Sequence, residues 1–435
     1  MSLRSLLVPP VAERLTGVAR LTRLREKAER QRRAAGEAHR VDYFHQADDP
    51  YSCLLAQLLP VFAERYDIRL HCHLVSAPPD WAAPERQRLE AWSLKDAYLL
   101  ARKAGLAFPE AAGAPSAERR LQAESVLAAS LAAGRFPAEA GATSLALWVG
   151  ENLPAMRQSA DAAKAQGDAL RERLGHYLGG MLHYGGEWYW GIDRLHYLEE
   201  RLAELGARRA PSPVAPIYAQ PITPLADAAP GPGGELHAFL SFRSPYSWIA
   251  ARRAKTLAER YGLQLRVRMV LPMVMRGLPV PARKRSYIMA DAAREARRSG
   301  VPFGRICDPV GRPVERGYAL LPWAREQGRG FEYCEAFMRA TWSMGIDAGT
   351  TSGLARIVAA AGLDWRLARP LTGDTGWREE AEMNRRELLS LGLWGVPSFR
   401  FGNTSAWGQD RLWVIEDAIR AERVKDSQGD RHAGD

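Results

Sequence analysis

The chain has 435 residues, 46% of them hydrophobic and 25% charged, with a formal net charge of +10. This length predicts two to three domains, each large enough to bury a hydrophobic core of its own. The charge suits nucleic acid, an anionic membrane or small acidic ligands as partners. Because no nucleic-acid-binding motif accompanies it, solvated helix faces are the better explanation, and no nucleic-acid partner is expected.

Cysteine content and hydropathy indicate a compartment. The four cysteines form no C-x-x-C pair, and so few in a chain of this length favour a reducing environment. No run approaches the ~20 apolar residues of a membrane span. Polar residues from Glu13 onward make the N-terminal apolar patch too short for a signal peptide. We therefore expect a cytoplasmic protein without a membrane span.

Residues 1–39 are predicted to be a basic helical extension. Within a charged helix at 18–33, Leu21, Leu24 and Ala28 form a narrow apolar stripe. A basic helix of this kind can bind a membrane surface or a partner. Because the apolar face is thin, packing against the first domain is the favoured interpretation.

Residues 40–205 are predicted to form a first α/β domain. A strand, a helix and a second strand occupy residues 41–75. A long stretch rich in Ala, Arg, Glu and Leu follows, in which helical periods broken by prolines predict several helices. A hairpin at 177–190 and a final helix at 193–205 complete the domain.

A linker separates this domain from a second one. Residues 206–234 contain seven prolines and four glycines, which leave little room for regular structure. The second domain, 235–422, repeats the order strand, helix, strand, helical block, hairpin and helix, with its last helix at 410–420. Residues 423–435 form a polar tail.

Two internal matches indicate that the domains are copies. The run Asp-Pro-Tyr-Ser at 49–52 corresponds to Ser-Pro-Tyr-Ser at 244–247, and Trp-Gly-Ile-Asp-Arg-Leu at 190–195 corresponds to Trp-Gly-Gln-Asp-Arg-Leu at 407–412. The spacing is too long for a solenoid. The order of elements predicts an α/β fold of two thioredoxin-like domains, each a small mixed sheet with a large all-helical insertion.

The start of the second domain carries the strongest chemical signal. An apolar strand at 236–242 leads directly to Ser244, a candidate N-cap, and to Pro245, which suits the first helical position. A hydroxyl at the positive end of a helix favours an anion such as a phosphate, a carboxylate or a thiolate. Downstream, Pro397 begins the hairpin, and an X-Pro bond there is a candidate cis peptide.

The second domain resembles the DsbA-like thioredoxin superfamily, in particular the branch of 2-hydroxychromene-2-carboxylate isomerases and kappa-class glutathione transferases. Three runs covering nearly all of 235–422 carry the resemblance: Phe-Arg-Ser-Pro-Tyr-Ser-Trp at 242–248, the helix region at 281–303, and the segment at 395–412. The resemblance implies glutathione as cosubstrate. It places the Ser244 hydroxyl against the glutathione sulfur, with Pro245 in the same binding turn.

The same resemblance assigns further residues. Tyr246 lies in the binding turn, and the backbone of Val396, before a cis Pro397, pairs with the cysteinyl part of glutathione. Gln409 and Asp410 lie where the family holds the γ-glutamyl end. This sequence departs from the family pattern at Gln409, where the kappa transferases have a small hydroxyl residue.

Elementary chemistry agrees with this implication. A thiol with an unperturbed pKa of ~8.5 is mostly protonated at neutral pH, and a helix N-terminus with a hydroxyl donor favours the thiolate. The thiolate adds to a conjugated carbon, permits rotation and leaves, which isomerises the alkene. The expected substrate is a small, anionic aromatic acid. The candidate assembly is a homodimer. Arg283 and Lys284 are candidates for holding its carboxylate, but exposed helix charges explain the same residues and are the favoured interpretation.

The first domain is predicted to be a degenerate copy that serves as a packing partner. Asp49 replaces the serine, and an acid there would repel a thiolate. Gly179 and Gly180 replace the Val-Pro pair, so the domain is not expected to catalyse the same reaction. The histidines of His71-Cys72-His73 share one face of a strand, but without a third ligand no metal site is expected.

Two other functions stay open. One is a non-catalytic binding or scaffold protein in which both sites have decayed. The other is a thiol oxidoreductase of the DsbA type, which the missing C-x-x-C pair disfavours.

Overall fold

A computed structural model describes residues 3–156, 158–221 and 233–432, with side chains at 8–156, 158–221 and 233–424. The chain divides into two compact units. One is Thr22–Gln220, called here the N-terminal unit; the other, called the C-terminal unit, combines Met1–Leu21 with Pro221–Asp435. Within the described ranges, no helix is both long and apolar enough to cross a membrane.

The predicted N-terminal extension is two helices, α1 (Leu3–Thr16) and α2 (Val18–Ala34). They differ from the expectation that the whole extension packs against the first domain. In the C-terminal unit, Glu13 of α1 lies 3.6 Å from Arg305. In the N-terminal unit, Arg25 of α2 pairs with Glu187 at 2.7 Å. Sequence periodicity does not reveal either of these charged partners.

The N-terminal unit contains a four-stranded mixed sheet in the order β2-β1-β3-β4. Its strands are β1 (His39–His45), β2 (Ile68–Leu74), β3 (Met181–Tyr184) and β4 (Glu187–Trp190). Its helices after α2 are α3 (Pro50–Arg65), α4 (Arg86–Ala104), α5 (Ala117–Ala132), α6 (Phe136–Val149), α7 (Asp161–Arg173) and α8 (Leu195–Glu204). β1 pairs parallel with β2 and antiparallel with β3, which continues antiparallel into β4.

The sheet of the C-terminal unit has the equivalent order, β6-β5-β7-β8, with the same strand directions. Its strands are β5 (Glu235–Leu240), β6 (Gln264–Met269), β7 (Ser398–Phe401) and β8 (Thr404–Trp407). The central strand β5 is almost wholly buried, as its apolar run predicts.

The helices of the C-terminal unit that follow β5 are in the predicted order. They are α9 (Pro245–Arg260), α10 (Ala282–Arg298), α11 (Arg312–Ala319), α12 (Leu321–Glu326), α13 (Gly330–Ser343), α14 (Thr351–Ala360), α15 (Trp365–Ala368), α16 (Trp377–Ser390) and α17 (Leu412–His432). Helices α10–α16 lie between β6 and β7, and α4–α7 lie between β2 and β3. The mixed sheets and the helical insertions predicted from the sequence are thereby confirmed.

The last helix extends past the sequence expectation, whereas the linker agrees with it. The last helix, predicted to end at 420, continues to His432, and residues 421–428 contain no proline or glycine that would end it. The predicted linker has no helix within its described part, while residues 222–232 lie outside the described residues.

Candidate functional site

The N-terminus of α9 presents Ser244 as its N-cap residue. The backbone of Ser244 is extended, and its Oγ accepts a hydrogen bond from the Ser247 N–H at 3.1 Å. The same hydroxyl donates to the Val396 carbonyl across 3.4 Å, a length at which a hydrogen bond is weak. Pro245 occupies the first helical position, as predicted. The Ser244 hydroxyl hydrogen is therefore held loosely at the positive end of a helix.

The loop facing this helix end is firmly held. The Val396–Pro397 peptide bond is cis, which confirms the expectation from the sequence. Ser398 Oγ donates to the Gly395 carbonyl at 2.7 Å, and the Gly408 N–H donates to the proline carbonyl at 2.9 Å. A Cβ at Gly395 would lie 2.7 Å from the Trp407 indole. The loop therefore requires glycine at this position.

Arg243, the residue just before Ser244, is neutralised within the protein. Its Nε and Nη2 donate to the two carboxylate oxygens of Asp308 at 2.8 and 2.9 Å. Such a bidentate pair fixes the guanidinium in direction as well as in position. Sequence reasoning missed Asp308, because 65 residues separate the partners and no local pattern connects them.

Tyr246 joins α9 to α10. Its hydroxyl donates to Asp291 Oδ2 at 2.8 Å, and its ring packs against Ile249, Ala292 and Ala296. The structure thus places this residue, assigned to the binding turn by resemblance, in a contact between two helices.

Gln409 lies at the centre of a buried polar network. It is 2% exposed, its Oε1 accepts from Arg253 Nη1 at 2.9 Å, and its Nε2 donates to Glu295. Burial lowers the pKa of Arg253, which also bonds the Gln409 carbonyl. Sequence reasoning missed Arg253, although its place four residues after Ile249 on the apolar face of α9 is a usable signal. The neighbouring Asp410 is partly exposed, 3.5 Å from Arg411 Nη1.

A cation lies against the aromatic residues beside the loop. Lys284 Nζ, in the first turn of α10, is 5.9 Å from the centroid of the Trp394 ring. Burial lowers the pKa of Lys284 to about 8. The Trp394 ring meets Trp407 edge-on at 5.4 Å, so that one cation and two indoles adjoin the cis-proline loop.

The N-terminal unit has equivalent contacts with a different cap. Tyr51 donates to Asp96 at 2.9 Å across the same sequence separation as the tyrosine–aspartate pair of the C-terminal unit. At the N-terminus of α3, the Asp49 carboxylate accepts from the Ser52 N–H at 2.8 Å and the Ser52 Oγ at 2.7 Å. Burial raises the pKa of Asp49 to about 6. An acid thus takes the place that a neutral hydroxyl occupies in α9.

Other features of the N-terminal unit differ as well. Gly180, at the position equivalent to Pro397, has φ of +61°, and a Cβ there would lie 3.0 Å from Asp49 Oδ2. Burial raises the pKa of Cys53 to about 12, so its thiol stays protonated. His73 binds Asp42 at 2.8 Å. In the part of the chain that the structure describes, no three His, Cys, Asp or Glu residues are grouped as metal ligands.

Comparisons with known proteins concern the C-terminal unit. Residues 235–420 match the family model of the DSBA-like thioredoxin domain, and this match does not extend to the N-terminal unit. Over 189 residues the chain is 23% identical to 2-hydroxychromene-2-carboxylate isomerase of Pseudomonas putida, covering 42% of this chain and 92% of that protein. It is also 23% identical to the isomerase of the same name from Pseudomonas sp. strain C18, covering 88% of that protein.

Two solved structures match this chain at low identity and low TM-score. A selenomethionine 2-hydroxychromene-2-carboxylate isomerase shares 22% identity with a TM-score of 0.39, over 45% of this chain and 98% of that chain. The cytosolic disulfide reductase DsbM from Pseudomonas aeruginosa, solved with GSH, shares 21% identity with a TM-score of 0.34, over 43% and 99%. By sequence, residues 235–420 match the DSBA-like thioredoxin domain, and the chain is similar to 2-hydroxychromene-2-carboxylate isomerases at 23% identity.

Proposed function

We propose that the C-terminal unit is a glutathione-dependent isomerase or transferase acting on a hydrophobic aromatic acid. The observation that carries this proposal is the position of Ser244, whose Oγ caps α9 and lies 3.4 Å from the Val396 carbonyl. A helix N-terminus and a hydroxyl donor together favour a thiolate over a thiol. Because the sequence has no C-x-x-C pair, we assign the sulfur to a ligand.

The residues of the chain have distinct roles in this proposal. Bound glutathione would supply the thiolate that adds to a conjugated carbon of the substrate, permits rotation about the resulting single bond and leaves again. Ser244 would turn its hydroxyl from the weak bond to Val396 toward the sulfur. The backbone before Pro397 would pair with the cysteinyl part of glutathione.

The γ-glutamyl end is assigned to Asp410, which is partly exposed and carries the charge needed for an ammonium group. Gln409 becomes a positioning residue, because both polar atoms of its amide already bond Arg253 and Glu295. Pro245 begins α9 directly after Ser244. Tyr246 holds the binding turn against α10 through its hydrogen bond to Asp291.

We further propose that the N-terminal unit is a degenerate copy without the same activity. Its sheet has the same strand order as that of the C-terminal unit, and the tyrosine–aspartate pair recurs. Its Asp49 carboxylate would repel a thiolate where Ser244 would stabilise one. We also propose a reducing, cytoplasmic compartment, because all four cysteines are free thiols.

The test is calorimetric titration of the full chain with glutathione. We expect Ser244→Ala to weaken binding by about tenfold or more, since a charge-assisted hydrogen bond contributes about 1.5–3 kcal/mol. Thr350→Ala is the matched control, because Thr350 caps α14 through the same kind of bond, to the Gly353 N–H at 3.0 Å. This control should bind glutathione as the wild type does.

The competing candidate is a binding or scaffold protein with no glutathione site. The buried bonds of Gln409 and the pairing of Arg243 with Asp308 favour it, because these polar groups are satisfied inside the protein. If the unmodified chain takes up no glutathione in the titration, the enzyme proposal fails and this candidate replaces it.

A further inference from the structure

The N-terminus of α14 presents unpaired hydrogen-bond donors at the surface. Thr350 is the N-cap residue, and its hydroxyl accepts the Gly353 N–H at 3.0 Å. The N–H groups of the two residues between them, Thr351 and Ser352, have no acceptor among the described residues, and both residues are exposed. Free amides at the positive end of a helix favour an anion. This end of α14 therefore offers two amides and two hydroxyls to an anion from solution.

Arg316 of α11 provides an independent sign of an anion at the same place. It is 9% exposed, and its Nη1 donates to the Gly349 carbonyl at 2.7 Å, directly before the cap of α14. A guanidinium has five N–H groups, and this carbonyl is the one acceptor that the described residues give to Arg316. Those residues also provide no carboxylate partner for its charge. Buried charges in proteins are paired, so Arg316 lacks the counter-ion that its burial requires.

A second arginine adds positive charge beside Arg316. Arg312 begins α11 four residues earlier, so the two side chains lie on one face of this helix. Like charges at this spacing destabilise a helix, and a cation at its N-terminus opposes the helix dipole. Burial lowers the pKa of Arg316, and the charge of Arg312 lowers it as well. Glu315, the acid in the same turn, pairs with Arg378 at 3.0 Å. A bound anion would offset the repulsion between the two arginines.

The loop that joins α13 to α14 holds these groups in place. A Cβ at Gly349 would lie 3.2 Å from Pro313 Cγ, and a Cβ at Gly353 would overlap the Asp347 carbonyl. The side chain of Asp347 accepts the Gly349 N–H at 2.9 Å and forms no ion pair with Arg316. The two glycines thus allow α14 to begin directly beside the first turn of α11. The helix amides and the arginines are therefore neighbours in a fixed arrangement.

We propose that the N-terminus of α14 forms a phosphate-binding site with Arg312 and Arg316 of α11. A phosphate group has enough oxygens for two amides, two hydroxyls and a guanidinium, whereas a carboxylate with two oxygens would leave several of these donors unpaired. The ligand is inorganic phosphate or the phosphate group of a small monoester. No residue of this site belongs to the proposed glutathione site, so the two proposals are tested separately.

The experiment is calorimetric titration of the full chain with inorganic phosphate, phenyl phosphate and benzoate, in a phosphate-free buffer of constant ionic strength. We expect Arg316→Gln to weaken phosphate binding about tenfold or more, because a charge-assisted hydrogen bond is lost. Benzoate should bind about tenfold or more weakly than phenyl phosphate. Tighter binding of phenyl phosphate than of inorganic phosphate would assign the site to a monoester, and the reverse order would assign it to free phosphate.

Thr351→Pro tests the contribution of a helix amide. Proline suits the first position of a helix and removes its N–H group, so α14 should keep its structure. Thr351→Ala removes the same hydroxyl but retains the N–H group. Phosphate should bind Thr351→Pro about threefold or more weakly than Thr351→Ala, because one amide hydrogen bond is lost.

Arg356→Gln is the matched control for the arginine. Arg356 is exposed and lies on α14 itself, beyond its first turn, so the substitution removes the same charge without removing a proposed ligand. Phosphate binding should be unchanged in this variant. Far-ultraviolet circular dichroism of each variant verifies that the fold is intact.

Thermal unfolding provides a second measurement. Phosphate should raise the Tm of the wild type and of Arg356→Gln, but not that of Arg316→Gln, because a ligand stabilises only the folded protein that binds it. The proposal is overturned if the wild type binds no phosphate, or if Arg316→Gln and Arg356→Gln weaken binding equally. It is also overturned if benzoate binds as tightly as phenyl phosphate.

Discussion

Glu199 and Glu416 are two buried carboxyl groups that have different neighbours. Both lie in the last helix of their unit and are almost fully buried. Glu416 has two arginines beside it, Arg260 at 3.3 Å and Arg420 at 2.8 Å. Glu199 instead accepts from the Ile217 N–H at 3.0 Å, and burial raises its pKa to about 7. A buried carboxyl with too little compensating charge favours its protonated form.

The raised pKa of Glu199 predicts that the free energy of unfolding depends on pH. The folded pKa of Glu199 exceeds its ordinary value of 4.5, so its contribution is complete below about pH 4.5 and is lost as the pH rises through about 7. We expect Glu199→Gln to remove about 1–3 kcal/mol of the decrease in unfolding free energy between pH 5 and pH 8. Urea unfolding at both pH values measures it.

The control for this change is Glu204→Gln, which alters an exposed carboxyl of the same helix. It should leave the pH dependence of the wild type unchanged. An equal decrease in Glu199→Gln and in the wild type would show that another group titrates in this range.

In both units, a tyrosine in the first turn of one helix bonds an aspartate in the first helix of the insertion. Tyr246 links α9 to α10, and Tyr51 links α3 to α4 through Asp96. We expect Tyr246→Phe and Tyr51→Phe each to reduce the free energy of unfolding by about 1–3 kcal/mol, because each loses a hydrogen bond to a carboxylate. Urea unfolding of the full chain measures this loss.

Ligand binding distinguishes the two variants. Because Tyr246 holds the proposed glutathione-binding turn against α10, Tyr246→Phe should also weaken glutathione binding, whereas Tyr51→Phe should not. Equal effects on ligand binding would show that the contact acts only through overall stability.

Local elements were predictable where the sequence contains local signals. The cap at Ser244, the apolar strand before it and the X-Pro bond at Pro397 each depend on a few neighbouring residues, and the structure agrees with all three. Which residues bond to one another in the site was not predictable, even where a residue such as Arg253 could be recognised as a charge on an apolar helix face. The bonds of Gln409 to Arg253 and Glu295 join segments more than 100 residues apart, and no periodicity encodes them.

At the scale of the whole molecule, one chain contains two sheets of the same order but one candidate site. This predicts one glutathione per chain, and it predicts that Asp49→Ser creates no second site, because Gly179 and Gly180 replace the Val396-Pro397 pair whose backbone is proposed to bind glutathione. Calorimetric stoichiometry measures this. A stoichiometry of two in Asp49→Ser would show that the cap residue alone decides binding.

The C-terminal unit draws on both ends of the polypeptide. Helix α1 is translated before its partner, because Arg297 of α10, which donates to the Thr16 carbonyl at 3.2 Å, follows some 280 residues later. Helix α1 therefore lacks this hydrogen-bond partner while the intervening residues are translated. A fragment that starts at residue 235 would lack α1, and the part of α10 that contacts this helix would be exposed.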